Sequence, residues 1–337
     1  MRALTALLLL ASGAYAQFRS TVPLVVAPTS VADSKGRYVD GLTLEDLILY
    51  DNNVPQTIQM DWMSYPISLV VVVQTSDNAG AVIDKLGASG ILLTELVAAD
   101  RGETALITYS GTVKLLQDFT TETDAVTHAL RSLRKEGGQA VALEAVGEAL
   151  KLLEKRPAGR RRVVLVIGEK KDRGSAATLP EIVEQVERQN AAVYWLTFSP
   201  FLQPFTVKPK TVEETKPEAQ RIKDTACAVC PKPDNRPAPP DVGPGSLIYG
   251  LGELFRLSKP DLAVLFTRIT GGRTISFLQK GALEHAIQLI GEEIHRQYIL
   301  SFSPKTVEPE IYHSIRVVVK GRPELQVRTR EGYWAVN

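Results

Sequence analysis

The sequence predicts an α/β fold: a doubly wound, mostly parallel sheet, with a small β-sandwich-like module formed by both chain ends. Three observations predict it. From residue 66 onward, short continuous apolar runs alternate with amphipathic stretches, as in parallel strands covered on both faces by helices. Both ends of the chain instead carry short β-rich runs separated by turn residues. The 337 residues, 44% hydrophobic and 23% charged, supply ample chain for a core.

The N-terminal β-runs cover 22–26, 47–50 and 57–60, with turn residues Ser34-Lys35-Gly36 and Asp51-Asn52-Asn53 between them. The Asp-Asn-Asn turn reads as a hairpin. Residues 17–64 are too few for an independent β-domain, so they need strands from elsewhere. The first buried strand is 68–73, followed by helical periodicity over 81–99 and a strand at 104–109. Helices follow at 124–133 and 141–153, joined through Gly137-Gly138. Arg160-Arg161-Arg162, read as a solvated strand entry, precedes the apolar strand 162–167. A helix at 180–189 starts on proline, where a missing N–H costs least, and 192–197 is the next strand.

Between residues 200 and 244 the pattern breaks. This stretch holds ten of the 20 prolines and both cysteines and reads as an irregular insertion. Helices then resume at 247–257 and 260–270, the second ended by Gly271-Gly272. A short strand at 273–277 and a helix at 282–295 complete the α/β part. The β-runs 298–302, 314–319 and 325–328 return to the chemistry of the N-terminus and complete its sheet. The resulting division is 1–16, 17–64, 65–297 with the insertion 200–244, and 298–337.

Residues 1–16 read as a secretory signal peptide: Arg2, an apolar run to Ala11, and Ala14-Tyr15-Ala16 before Gln17. The run falls short of the roughly 20 residues a membrane span needs. The mature chain is therefore expected to be exported to the periplasm or beyond, with no integral membrane segment. With 39 Lys+Arg against 38 Asp+Glu, the net charge of +1 gives no electrostatic footprint for nucleic acid. Four histidines and two cysteines leave little material for a metal-rich enzyme. His128, His285 and His295 fall in helices and His313 beside a strand, all read as surface or boundary residues. No nucleophile elbow, phosphate loop or dinucleotide fingerprint occurs.

In open parallel sheets ligands bind beyond the carboxyl ends of the strands, which directs attention to Gln74-Thr75-Ser76-Asp77-Asn78. Here the chain resembles von Willebrand factor A-type domains. More narrowly it resembles the exported VWFA-related acidobacterial domain family. The matching features are Asp33-Ser34-Lys35-Gly36-Arg37, Gly41-Leu42-Thr43, the run 44–50, and Pro55-Gln56. Distal counterparts are Thr270-Gly271-Gly272-Arg273, Gln297-Tyr298-Ile299-Leu300 and Arg330-Glu331-Gly332-Tyr333. The resemblance implies a Rossmann-like fold and a role in protein binding or adhesion.

It also implies a metal-ion-dependent adhesion site, with Asp-x-Ser-x-Ser on the first loop, a threonine on a second and an aspartate on a third. Mg²⁺ is hard and wants an octahedral shell of oxygens. Against that pattern the sequence has Gln74 for the aspartate, retains Ser76, has Asn78 for the second serine, Val141 near the threonine and Glu169 for the later aspartate. Asp77 offers a replacement carboxylate one residue out of phase. The site is expected to be degenerate, with no cofactor and with Mg²⁺ disfavoured. Gln74, Ser76 and Asn78 are then expected to bond the loop backbone and cap the following helix.

Cys227 and Cys230 flank Ala-Val in the proline-rich insertion. Pro231 and Pro233 oppose a following helix, which weakens a thioredoxin-like reading and leaves a local disulfide as the expectation in an oxidising compartment. The sequence is read as a non-catalytic, exported interaction protein binding a protein partner. Cation-dependent adhesion through a rearranged site, and thiol–disulfide chemistry at Cys227 and Cys230, are the alternatives.

Overall fold

A computed structural model describes residues 24–61, 65–87, 89–99, 101–157, 159–198, 261–277, 282–304 and 312–334. The signal segment 1–16, the insertion 200–244 with Cys227 and Cys230, and the helix expected at 247–257 lie outside the described residues.

The chain begins with β1 (Val25–Ala32), β2 (Leu47–Asp51), β3 (Val54–Pro55) and β4 (Ile58–Asp61). Asn52 and Asn53 link β2 to β3 with φ of 47° and 64°. Two consecutive left-handed residues are what a tight hairpin turn requires, and asparagine tolerates that region better than most side chains. The α/β part follows: β5 (Ile67–Gln74), α1 (Gly80–Leu86), a π-helical stretch (Leu92–Ala98), β6 (Glu103–Tyr109), β7 (Val113–Thr120), α2 (Thr123–Ser132), α3 (Ala142–Glu154), β8 (Arg161–Gly168), α4 (Leu179–Arg188) and β9 (Ala192–Thr197). After the insertion come α5 (Leu262–Thr270), β10 (Thr274–Ser276) and α6 (Ala282–His295). The chain closes with β11 (Tyr298–Phe302), β12 (Tyr312–Val319), β13 (Gln326–Arg328) and β14 (Gly332–Trp334).

The central sheet has six strands in the order β10-β9-β8-β5-β6-β7, all parallel except β7, which pairs antiparallel with β6. β5 is buried along its whole length, and its side chains alternate between two cores. Leu69, Val71 and Val73 meet α1, α2 and α6 on one face; Val70 and Val72 meet α3, α4 and α5 on the other. Each such residue contributes about 1.5–3 kcal/mol of burial. A single hydrogen bond contributes nearer 1 kcal/mol net. The apolar strands, not the polar links, therefore hold the domain together.

The two chain ends interleave as expected. One four-stranded sheet has the order β13-β1-β11-β4, the other β14-β12-β2-β3, and their inner faces share an apolar core including Ala27, Leu49, Leu300 and Phe302. Of β1–β4, every strand is paired with one from the last forty residues except the short β3, which pairs with β2.

Four expectations need correction. The helical run 81–99 is broken: Ser89 N–H bonds Leu86 O, and a Cβ on Gly90 would sit 2.2 Å from the Thr127 hydroxyl oxygen. Close packing against α2 thus claims the glycine and splits the helix. β7 is a strand that the sequence reading does not contain, because an edge strand whose eight positions are all exposed or half-exposed shows no clean alternation. His313 is buried, not at the surface; its Nδ1 lies 2.8 Å from Asp51, which also accepts a bond from Tyr333 Oη at 3.0 Å. The Arg160–162 cluster is not simply solvated either. Arg160 donates to Ser68 Oγ at 2.7 Å and pairs with Glu103; Arg161 donates to Ile294 O at 2.8 Å; Arg162 donates to Gln189 O at 3.2 Å.

The junction between the sheets is polar. Glu293 on α6 is fully buried and faces Arg328 on β13, Arg273 before β10 and Tyr38 Oη, the last at 2.7 Å. Beside it, Gln297 donates to Ser30 Oγ at 3.2 Å and to Tyr194 Oη at 3.1 Å. Arg330, also buried, reaches Glu187 O at 3.1 Å and Asn190 on the α/β side.

Candidate functional site

Parallel pairing brings the carboxyl ends of β5, β6 and β8 side by side, with Gln74 opposite Tyr109 and Val73 opposite Ile167. The loops that follow these strands, and the one between α2 and α3, converge there. Thr75 fixes the first loop: its N–H and hydroxyl both bond Tyr109 O, and its own carbonyl accepts from Glu136 N–H at 2.7 Å.

At the centre lies the amide of Gln74, which is fully buried. Its Oε1 accepts the backbone N–H of Glu169 at 2.7 Å and lies 3.5 Å from Tyr109 Oη. Because a backbone N–H can only donate, this bond fixes the orientation of the amide. Nε2 is then turned to Ser76 Oγ at 2.7 Å and to Glu169 Oε2 at 3.1 Å. Asn78 Nδ2 donates to the other oxygen of Glu169 at 3.3 Å. Arg173, half-exposed, adds its guanidinium to Glu169 at 3.4 Å. A buried carboxylate of this kind needs charge compensation and filled lone pairs; two amides and one guanidinium supply them.

Gly168 makes this arrangement possible. A Cβ there would lie 2.0 Å from Tyr109 Oη and 3.0 Å from Gln74 Oε1, so any side chain would displace both. Burial foremost, and then Glu169 and Asp172, push the Tyr109 phenol far above its ordinary range. Tyr109 is therefore a neutral hydroxyl at any working pH.

Of the residues singled out in the sequence, Gln74, Ser76, Asn78 and Glu169 come together. The other two do not join them. Asp77 is exposed and pairs with Lys135 at 3.3 Å. Val141 is buried in the core under α3, and only its backbone takes part, donating to Ser110 O at 3.1 Å. The capping expectation is also corrected: Ser76 precedes the turn Asp77–Ala79 without a side-chain cap bond. Its hydroxyl serves the Gln74 amide instead.

Sequence reasoning missed Tyr109, Arg173 and Asp172. Asp172 accepts from Leu143 N–H at 3.1 Å, Ser175 N–H at 3.0 Å and Ser175 Oγ at 2.6 Å, pinning the third loop to the start of α3. The run Asp172-Arg-Gly-Ser carries the signal of an Asx-type turn and could have shown it. Arg173 follows from the same loop but had no local signature. No His or Cys approaches Ser76 in these bonds, and among the described residues no group of three or more His, Cys, Asp or Glu is placed to hold a metal ion.

A doubly wound α/β domain with its loops gathered over the carboxyl edge of a central strand defines the class. Residues 69–170 match the family model of the von Willebrand factor type A domain, from β5 to just past Glu169, and the chain carries a domain of that type. Among solved structures, it is similar to a conserved hypothetical protein, BatB, from Bacteroides thetaiotaomicron: 15% identity, TM-score 0.41, covering 68% of this chain and 98% of that one. An aerotolerance-related membrane protein from Bacteroides fragilis gives 14%, 0.42, 68% and 99%. The vWF domain of the type V pili tip protein Mfa5 from Porphyromonas gingivalis gives 18%, 0.29, 35% and 44%. No curated protein sequence matches the chain. No helix among the described residues is long and apolar enough to cross a membrane.

Proposed function

We propose that this is an exported, non-catalytic protein-interaction protein whose A-type domain, 65–297, is mounted on a β-module built from 17–64 and 298–337. It works without a divalent cation at the position of the adhesion site. The observation that carries the reading is the buried Gln74 amide, whose N–H groups point at Ser76 and Glu169.

A hard cation needs several oxygen donors turned toward one point, with carboxylate charge among them. Here the hydroxyl and one carboxylate oxygen already accept hydrogen bonds from an amide nitrogen, and the amide oxygen is committed to the Glu169 backbone. Glu169 is the one carboxylate at the centre, and Arg173 compensates it. These residues do not fit Mg²⁺. They fit a locked loop that offers a preformed surface to a partner. The serine hydroxyls of these loops are bonded to an amide (Ser76) or to carboxylates (Ser110, Ser175), none of them to a histidine or lysine, which supports a non-catalytic role, and the signal-like residues 1–16 support export.

The test is a melting curve with 5 mM MgCl₂, MnCl₂ or EDTA. A ligand of the native state alone at 100 times its Kd stabilises by about 2.7 kcal/mol; here the three curves should coincide. A Mg²⁺-dependent rise that Ser76→Ala abolishes would overturn the reading in favour of cation-dependent adhesion.

A further inference from the structure

A second surface of the α/β domain is built to receive a ligand. A groove of about 500 Å³ is lined by the start of β7, by α3 and by α4. Its apolar part comes from Leu115, Gly147 and Ile182, and its polar part includes Glu144, Glu148 and Glu181 against the single cation Lys151. Gly147 sets one wall: α3 and α4 pack so closely there that an added Cβ would meet Ile182 Cδ1 at 2.8 Å.

The strand that forms one wall is the edge of the central sheet. β7 pairs with β6 on one side, and among the described residues no strand pairs with the other. It is eight residues long and exposes Leu115 by 48% and Leu116 by 40%. From Leu116 onward this edge is blunted, by register irregularities opposite Thr104–Ile107 and by Phe119 N–H and Asp118 O bonding the side chains of Asp118 and Gln117, so the part left as a template for another chain is its start, 113–115, beside the groove.

The charges choose the occupant. Glu148 shares Lys151 at 3.2 Å, while Glu144 and Glu181 spend one oxygen each on backbone N–H groups, Ala176 and Thr178. Those backbone bonds hold the Glu181 carboxyl below its ordinary range, so it stays ionised. Three carboxylates against one ammonium leave the rim net negative beside an apolar floor.

We propose that this groove and the adjoining edge of β7 bind an extended peptide segment that alternates basic and apolar side chains. Its backbone pairs with β7, an apolar side chain enters beside Leu115 and Ile182, and its lysines or arginines meet Glu144 and Glu148. The proposal rests on the interaction reading above and adds a partner chemistry to it.

The probe is an acetylated, amidated octapeptide alternating Lys and Val, titrated by calorimetry at low salt, with an alternating Glu–Val peptide as control. The Lys–Val peptide should bind, protect the amides of 113–115 from hydrogen exchange, and weaken as salt rises. Glu144→Gln with Glu148→Gln, both near the surface, should keep the melting temperature and lose affinity roughly two- to fivefold per site. Leu115→Ser should weaken binding further without unfolding the chain. Equal binding of both peptides, indifference to the glutamine variants, or a dimer of the free chain that buries Leu115 would each overturn the proposal. Peptide binding lost while a natural partner is still captured from culture supernatant would end this surface and leave the broader reading standing.

Discussion

Two buried glutamates, one at each end of the central sheet, are treated very differently. Glu293, where the α/β domain meets the β-module, faces two arginines and a tyrosine and has no exposure. Glu169, at the carboxyl edge, is met by two neutral amides and a single half-exposed arginine. The first is compensated from three separate stretches of chain, the second from loops that lie beside it. The contrast teaches where rigidity is placed. The junction is fixed by charges that cannot be rearranged cheaply. The loop face is fixed by hydrogen bonds that hold it in shape without concentrating charge.

The largest effect should come from breaking the junction. Glu293→Ala leaves Arg328 and Arg273 without their carboxylate, and removing one member of a buried ion network costs about 3–5 kcal/mol. A chemical denaturation midpoint reads it, and the loss should appear as one cooperative transition because both chain ends share a core. Unchanged stability would show that water replaces the carboxylate. At the other end, Gln74→Leu strands the Glu169 N–H and removes a donor from its carboxylate. An unmet buried polar group costs about 1–3 kcal/mol, so a smaller fall is expected by the same measurement. If Gln74→Leu costs more than Glu293→Ala, the ranking of the two ends is reversed.

Most of the fold could be read from the sequence because burial leaves a direct trace in it. The run Leu69–Val73 is apolar since both faces are covered, and Thr270-Gly271-Gly272 ends α5 since Gly271 takes φ of 74°. Junction residues were harder. Arg161, Glu293 and Arg330 look like ordinary surface charges until segments over a hundred residues apart are brought together. At the site, Gln74, Ser76, Asn78 and Glu169 were legible from loop position alone. Arg173 and Tyr109 were not, because their roles depend on a neighbouring strand and on the space left by Gly168.

The tyrosines sharpen the comparison at a smaller scale. Tyr38 donates directly to Glu293 at 2.7 Å, whereas Tyr109 reaches only the Gln74 amide, at 3.5 Å. Tyr38→Phe should therefore cost about 1 kcal/mol at neutral pH and Tyr109→Phe less. Burial foremost, then Glu293, pushes the Tyr38 phenol up to about 12 from its ordinary 10. The folded state thus holds this proton more tightly than the unfolded chain. The stability it contributes is complete below pH 10 and is lost as pH rises from 10 through 12. Melting temperatures across that window should fall less steeply in Tyr38→Phe. An identical slope would remove Tyr38 from the account.

The smallest effect is expected at Asp77, and it decides whether the loop face conceals a rearranged cation site. Asp77 is the one other carboxylate on the first loop, and a rearranged shell would have to recruit it. It stands exposed, paired with exposed Lys135 at 3.3 Å. Such surface pairs contribute about 0–1 kcal/mol and are screened by salt. Asp77→Asn should then move the denaturation midpoint by less than about 0.5 kcal/mol, and equally with Mg²⁺ or EDTA present. It should also leave Gln74, Ser76 and Glu169 undisturbed, since none of their bonds passes through it. A loss that appears only when Mg²⁺ is present would mean that Asp77 turns inward to share a cation with Glu169. The distinction between a charge-locked junction and a hydrogen-bonded loop face would then fail at the residue that had seemed least involved.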